Sequence, residues 1–284
     1  MIGAAIVGAA LALAPPPAAG DLAAAPAQQP PPAAASVRFA VKGDWGYGGS
    51  AQAAVTRRMC AEARRAPFAF VLTTGDNFYL PAGVATAANF WRPERCLRAL
   101  GVRWRAAWGN HDAAGGDATT VLASPRRYYA FSAGPARVVV LDGNDPANAD
   151  QLAFLRRELR TATDRARIVA VHQPIYTAGI HAPATEARRL WGPLLREGRV
   201  ALVLQGHNHA YERLEADGIT YITTAGGGAP VYPCVRPSKE LRTCLATHHF
   251  LTVTATSRTV SVRAVTPSGT TLERVRIPVP AAGG

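Results

Sequence analysis

Five short stretches of this chain place metal-type ligands directly after an apolar run. Phe39-Ala40-Val41-Lys42 leads into Gly43-Asp44-Trp45-Gly46, and Phe68-Ala69-Phe70-Val71-Leu72 leads through Thr73-Thr74 into Gly75-Asp76-Asn77-Phe78-Tyr79. Trp104 to Trp108 leads into Gly109-Asn110-His111-Asp112, Ile168-Val169-Ala170-Val171 into His172, and residues 200–205 into Gly206-His207-Asn208-His209. Runs of this length, bounded by turn signals, suit buried strands. Ligands in α/β proteins gather at the carboxyl ends of such strands. One Gly-Asp pair is usually a plain turn. Five in series, ending in Asp, Asp with Tyr, Asn, His and paired His, point to oxygen and imidazole donors for metal ions. His207 and His209, two residues apart at a strand end, would share one face in extended geometry and serve neighbouring ions.

The elements between these stretches must carry them. Residues 52–65, 149–161 and 184–197 show helical spacing, the second through Leu152, Leu155 and Leu159, the third interrupted at Pro193. Past Gly206 the pattern changes to period-two strands at 219–224, 250–255 and 259–265. A second sheet built largely from the C-terminal part, packed on the first, is the expectation.

Length and composition bound the rest. The 284 residues suffice for one large domain, and 48% hydrophobic with 18% charged residues fits a globular protein. The net charge of +12 rests on scattered arginines, without a basic run that would mark a nucleic-acid stripe. It reads as a solvated face, or as a field that attracts anions. Residues 1–35 form a separate block: a small apolar run from Ile2 to Ala14, then Pro and Ala. The run is too short for a membrane span and suits the core of a secretory signal. The Ala/Pro stretch after it lacks the apolar surface to fold. The expectation is an exported chain, secreted or periplasmic, with a disordered leader and one domain over 36–284.

Four cysteines fit that compartment. Cys234 and Cys244 bracket a short loop and pair, which leaves Cys60 with Cys96 to join two helices. The alternative is four buried free thiols. No Cys-x-x-Cys spacing points to zinc.

The quoted stretches resemble the calcineurin-like metallophosphatases and, among them, the purple acid phosphatases, notably the small tartrate-resistant form. The resemblance runs from about Val37 to about Thr224. It rests on Gly43-Asp44-Trp45-Gly46, Gly75-Asp76-Asn77-Phe78-Tyr79, Gly109-Asn110-His111-Asp112 and Gly206-His207-Asn208-His209-Ala210-Tyr211-Glu212-Arg213. It implies an α/β fold: a four-layer α/β/β/α sandwich of two mixed β-sheets flanked by helices, with a dinuclear metal site at strand C-terminal ends. It also implies a ligand set. Asp44, Asp76, Tyr79 and His209 would hold Fe(III). Asp76, Asn110, His172 and His207 would hold Fe(II), Zn(II) or Mn(II). Asp76 takes the bridging position. Most metallophosphatases have histidine two residues after the first aspartate; here that position is Gly46, and Tyr79 supplies the donor instead. A phenolate needs a strongly acidic cation, since free tyrosine has a pKa of about 10. His111 and His181 are the candidates for binding phosphate oxygens or protonating the leaving group. Asp112 is the candidate to orient His111, and His248 and His249 are structural.

The implied activity is hydrolysis of phosphate monoesters by metal-activated hydroxide, that of an acid phosphatase. The alternatives are a phosphodiesterase or nucleotide hydrolase on the same site, and a non-catalytic exported binding protein. The filled ligand positions weigh against the last. The expected partner is a small phosphorylated substrate, with no nucleic acid, no membrane span in the mature chain and a monomeric state. The segment past Ala225 matches no part of the family pattern and is expected to wall one side of the cleft.

Overall fold

The computed structural model describes residues 35–161 and 164–281; the leader assigned to 1–35 lies outside them but for its last residue. Thirteen strands and five α-helices lie along the described chain, the helices all before β7. The first half contains β1 (Val37–Lys42), α1 (Ser50–Arg65), β2 (Phe70–Thr73), α2 (Arg95–Ala99), β3 (Arg103–Ala106), α3 (Asp117–Val121), β4 (Tyr129–Ala133) and β5 (Ala136–Val140). Then come α4 (Ala149–Arg160), β6 (Ala166–Ala170), α5 (Thr185–Glu197), β7 (Leu202–Gln205), β8 (Tyr211–Ala216), β9 (Ile219–Thr224), β10 (Leu241–Leu245), β11 (Phe250–Ala255), β12 (Thr259–Val265) and β13 (Thr271–Pro278).

The strands form two mixed sheets, ordered β13-β12-β11-β1-β2-β3 and β10-β8-β9-β7-β6-β5-β4. The expectation that the C-terminal part builds the second sheet holds for β8, β9 and β10 but fails for the rest. The last three strands extend the first sheet, where β11 pairs antiparallel to β1 from Val37↔Ala255 to Val41↔Leu251. The five ligand-bearing strands divide between the sheets: β1, β2 and β3 run parallel in one, β6 and β7 parallel in the other. Periodicity identifies strands but carries no information about which of two sheets a strand joins.

Side-chain alternation builds four layers from two sheets. Phe39 and Val41 point between the sheets, where they meet Val138, Val140, Ile168, Leu204 and Ile222. Ala40 and Val71 point the other way, against Val55 and Met59 of α1 and Leu97 of α2. On the far side, Val139, Val169 and Val203 pack on Leu155 and Leu159 of α4 and on Trp191 and Leu195 of α5. Strands so buried on both faces read as continuous apolar runs, which is why the sequence shows them clearly. The α5 helix runs through Pro193. Cys60–Cys96 ties α1 to α2, and Cys234–Cys244 ties the loop before β10 to β10 itself. Both pairings are those expected from the sequence. Among the described residues no helix is long and apolar enough to cross a membrane.

Candidate metal centre

The loops leaving β1, β2, β3, β6 and β7 converge at one edge of the sandwich, and all nine residues singled out in the sequence meet there. Three of them hold left-handed backbone: Asp44 at φ 54°, Asp76 at φ 47° and His207 at φ 70°. Such conformations cost about 1–3 kcal/mol each and persist only when neighbours impose them. Here the Asp44 N–H donates to Gly75 O at 3.0 Å and the Trp45 N–H to Asp76 O at 3.2 Å, lacing the two loops together. The His207 N–H donates to the Asp44 carboxylate at 3.1 Å. His207 thus stands in a bend, and the extended geometry expected for His207–His209 does not occur. The two imidazoles reach different clusters because the backbone turns between them.

In the first cluster, Asp44 Oδ1, Tyr79 Oη and His209 Nε2 lie 3.1–3.2 Å apart. In the second, His172 Nε2 lies 3.0 Å from Asn110 Oδ1, 3.2 Å from His207 Nδ1 and 3.4 Å from Asp76 Oδ2. Asp44, Asp76 and His172 offer ligand atoms within 4.8 Å of one another, so the clusters adjoin. The donor chemistry fits cations. His172 Nδ1 faces Thr74 O at 2.9 Å and His209 Nδ1 faces Pro230 O at 2.6 Å. A carbonyl accepts, so each Nδ1 carries a proton, and Nε2 of each ring is the atom aimed at the other donors. A positive charge is what such a convergence lacks.

Electrostatics agree. Burial disfavours charge on His172, yet the Asp76 carboxylate holds its pKa up to about 10, so a proton on Nε2 competes with a cation for that position and metal binding would release it. Burial and the neighbouring imidazoles of His172 and His181 push His207 down to about 3, leaving it a neutral donor. Burial, then Asp44 and Asp76, drives Tyr79 far above the usual phenol range. No phenolate forms there unless a strongly acidic cation reverses the local field.

Gly46 and Tyr79 are coupled by backbone. The Tyr79 N–H donates to Gly46 O at 3.0 Å, and a Cβ at Gly46 would stand 1.7 Å from Asn77 O. The close approach of the Asn77 carbonyl to Gly46 leaves no room for a side chain, histidine included, at position 46 unless the loops shift.

His111 and His181 flank the clusters. The His111 ring lies 4.4 Å from that of Tyr79, with its Nε2 3.9 Å from Asp76 Oδ2 and its backbone N–H on Asp76 Oδ1 at 2.9 Å. The His181 ring lies 4.4 Å from that of His207. Asp112 does not orient the His111 ring. Its buried carboxylate accepts the N–H groups of Gly109 at 2.8 Å and Asn77 at 2.9 Å and the Asn77 amide at 2.8 Å, so it pins two ligand loops instead. His249 is fully buried away from the ligands, and His248 Nδ1 lies 3.3 Å from Gly226 O, as structural residues would.

The segment past Ala225 does wall the site. Tyr232 stacks on His209 with ring centres 4.3 Å apart, and Val235 N–H donates to Ala178 O in the His181 loop. Tyr232, Asn208, Thr177 and Glu212 escaped the sequence reading. For Asn208 the sequence offered only its place between two ligand-type residues.

The chain is similar to known proteins in sequence and in fold. The Calcineurin-like phosphoesterase family profile matches residues 37–211. Purple acid phosphatase 7 of Arabidopsis thaliana is 26% identical over 238 residues, covering 69% of this chain and 71% of its own. Tartrate-resistant acid phosphatase type 5 of Rattus norvegicus is 26% identical over 301 residues, covering 86% and 91%. In fold, the chain is similar to the purple acid phosphatase PPD1 of yellow lupin, with a TM-score of 0.73 at 16% identity over 88% of this chain and 55% of that one. It is equally similar to GAP50 of Plasmodium, described as an anchor in the inner membrane complex, with a TM-score of 0.73 at 17% identity over 87% and 90%. With its strand order, its convergent donors and a profile match across most of the domain, the chain belongs to the calcineurin-like phosphoesterase family and is a metal-dependent phosphatase.

Proposed function

We propose that this chain is an exported acid phosphatase of the purple type, hydrolysing phosphate monoesters at a dinuclear centre. The observation that carries the reading is Tyr79 Oη seated 3.2 Å from Asp44 Oδ1 and 3.1 Å from His209 Nε2, over a glycine that excludes the usual histidine. In this reading Asp44, Asp76, Tyr79 and His209 hold Fe(III), and Asp76, Asn110, His172 and His207 hold Fe(II), Zn(II) or Mn(II). Bound cations offset phosphoryl charge and lower the pKa of water enough to provide the nucleophile near neutral pH. The protein's own residues do the rest. Asp76 joins both clusters. His111 and His181, one beside each cluster, bind phosphate oxygens and deliver a proton to the leaving group. Tyr232 and the exposed Tyr47, whose ring lies 5.6 Å from that of Tyr79, bound the space left for the ester. The substrate is a small phosphorylated molecule, and two disulfides suit an oxidising compartment.

An absorption spectrum tests the class. A phenolate on Fe(III) gives a broad visible band, so the oxidised iron-loaded protein should be purple or pink, and Tyr79→Phe should fold and lose the colour. A colourless wild type that is active with Mn(II) or Zn(II) would leave an ordinary dinuclear phosphatase. Paired assays on a monoester and a diester decide the substrate class; a faster diester reaction would favour the phosphodiesterase reading.

A further inference from the structure

The loop that carries His181 is fixed from behind by side chains outside the proposed ligand set. Asn208 lies between His207 and His209 but turns away from both, and it is 1% exposed. Its Oδ1 accepts the His181 backbone N–H at 2.8 Å, and its Nδ2 donates to His181 O at 3.1 Å and to Thr177 Oγ1 at 2.7 Å. One amide thus grips both polar backbone groups of a single residue. The Thr177 hydroxyl also accepts the Gly179 N–H at 3.0 Å, and it donates to the fully buried Glu212 carboxylate at 2.8 Å. Glu212 further accepts the Ala178 N–H at 3.1 Å and the Thr223 hydroxyl at 2.7 Å. Every donor in this chain meets an acceptor, which makes it a satisfied buried network able to rigidify what it holds. The fit is close: a Cβ at Gly179 would stand 2.3 Å from Asn208 Cγ.

From this we infer that Asn208, Thr177 and Glu212 are positioning residues for His181. They set where its imidazole stands beside the centre, and through it they set the rate for esters whose leaving group needs a proton. The inference rests on the reading of His181 as that proton donor. An alkoxide leaving group depends on such a donor, whereas a nitrophenolate leaves without one, so displacement of His181 separates the two substrates.

The test uses the full-length metal-loaded protein with a simple alkyl phosphate and an activated aryl phosphate. Asn208→Ala should lower kcat on the alkyl ester about tenfold to a hundredfold, with little change on the aryl ester, in KM or in metal content. Thr177→Val should shift the alkyl-to-aryl ratio in the same direction, while Thr177→Ser, which keeps the hydroxyl, should restore it. The double variant Asn208→Ala/His181→Ala should be no slower on the alkyl ester than His181→Ala alone, since residues acting through one group are not additive. In the protein loaded with diamagnetic Zn(II), the His181 ring proton resonances should shift in Asn208→Ala while those of His249 stay. Equal losses on both esters, or losses that multiply in the double variant, would overturn the positioning role and leave His181 intact. Wild-type hydrolysis of the alkyl ester by His181→Ala would instead overturn the reading of His181, and the positioning role with it.

Discussion

Asp76, the residue proposed to bridge the two clusters, lies between them within 4.8 Å of Asp44 and His172 ligand atoms, and its backbone helps to hold it there. At φ 47° it occupies a region that asparagine and aspartate tolerate and alanine does not favour. Burial opposes its charge, but His172, together with the His111 N–H, holds its carboxyl well below the usual range. It therefore stays an anion between two groups of donors. Asp76→Ala should bind neither ion tightly, and metal analysis should show well under one equivalent; two full equivalents would remove the bridging role. Asp76→Asn, which suits the same backbone, should fold normally and separates loss of charge from loss of structure.

Behind the centre, β1, α1 and α2 are joined by a buried ion pair at the carboxyl end of β1. Lys42 Nζ lies 2.7 Å from Glu94 Oε1 and 4.0 Å from the Trp45 ring, with both charged side chains fully buried. Burial lowers the Lys42 pKa, and Glu94 opposes that. Gln52 and Thr56 of α1 complete the cluster, donating to Glu94 Oε1 at 3.0 and 2.8 Å. Removing one partner of such a pair leaves an uncompensated charge, so Glu94→Ala should cost about 3–5 kcal/mol in chemical denaturation. A loss under 1 kcal/mol would mean that water reaches Lys42. The Cys60–Cys96 bridge fastens the same two helices, and replacing both cysteines by serine should cost about 2–4 kcal/mol on the chain-entropy account. Peptide mapping without reduction should recover Cys60 joined to Cys96 and Cys234 to Cys244.

Stability of the whole molecule should fall on the acid side, and His249 is one cause. Burial, opposed by Thr247 O and aided by His248, pushes its pKa down to about 4, against 6.5 for a free histidine. Its Nε2 has no partner among the described residues. Between those two pH values the unfolded chain holds a proton that the folded chain does not, so folding weakens as pH falls. The stabilisation is complete above pH 6.5, and about 3 kcal/mol of it is lost by pH 4. His249→Phe should therefore flatten the decline in melting temperature between pH 7 and pH 4.5. An unchanged slope would place the acid sensitivity elsewhere.

The sequence alone determined the buried strands and the donors at their ends, because a strand buried on both faces must be continuously apolar and its ligands must follow at once. Parity and one short loop suggested the disulfide pairing, which the structure then decided, and the sequence showed Gly46 and Tyr79 standing together. The bounds of β9, β11 and β12 coincide with the runs at 219–224, 250–255 and 259–265. The pairing of those strands was not legible, because an alternating strand fits either sheet and only the register with β1 places β11 beside it. The work of Asp112 was equally hidden. Adjacency to His111 in the chain suggested one partner, while folding brought the Asn77 loop, more than thirty residues away, within hydrogen-bond reach. Asn208 and Glu212 show the same limit. Their residue types admit many partners, and only the tertiary structure, by setting the His181 loop against them, decided which backbone they hold.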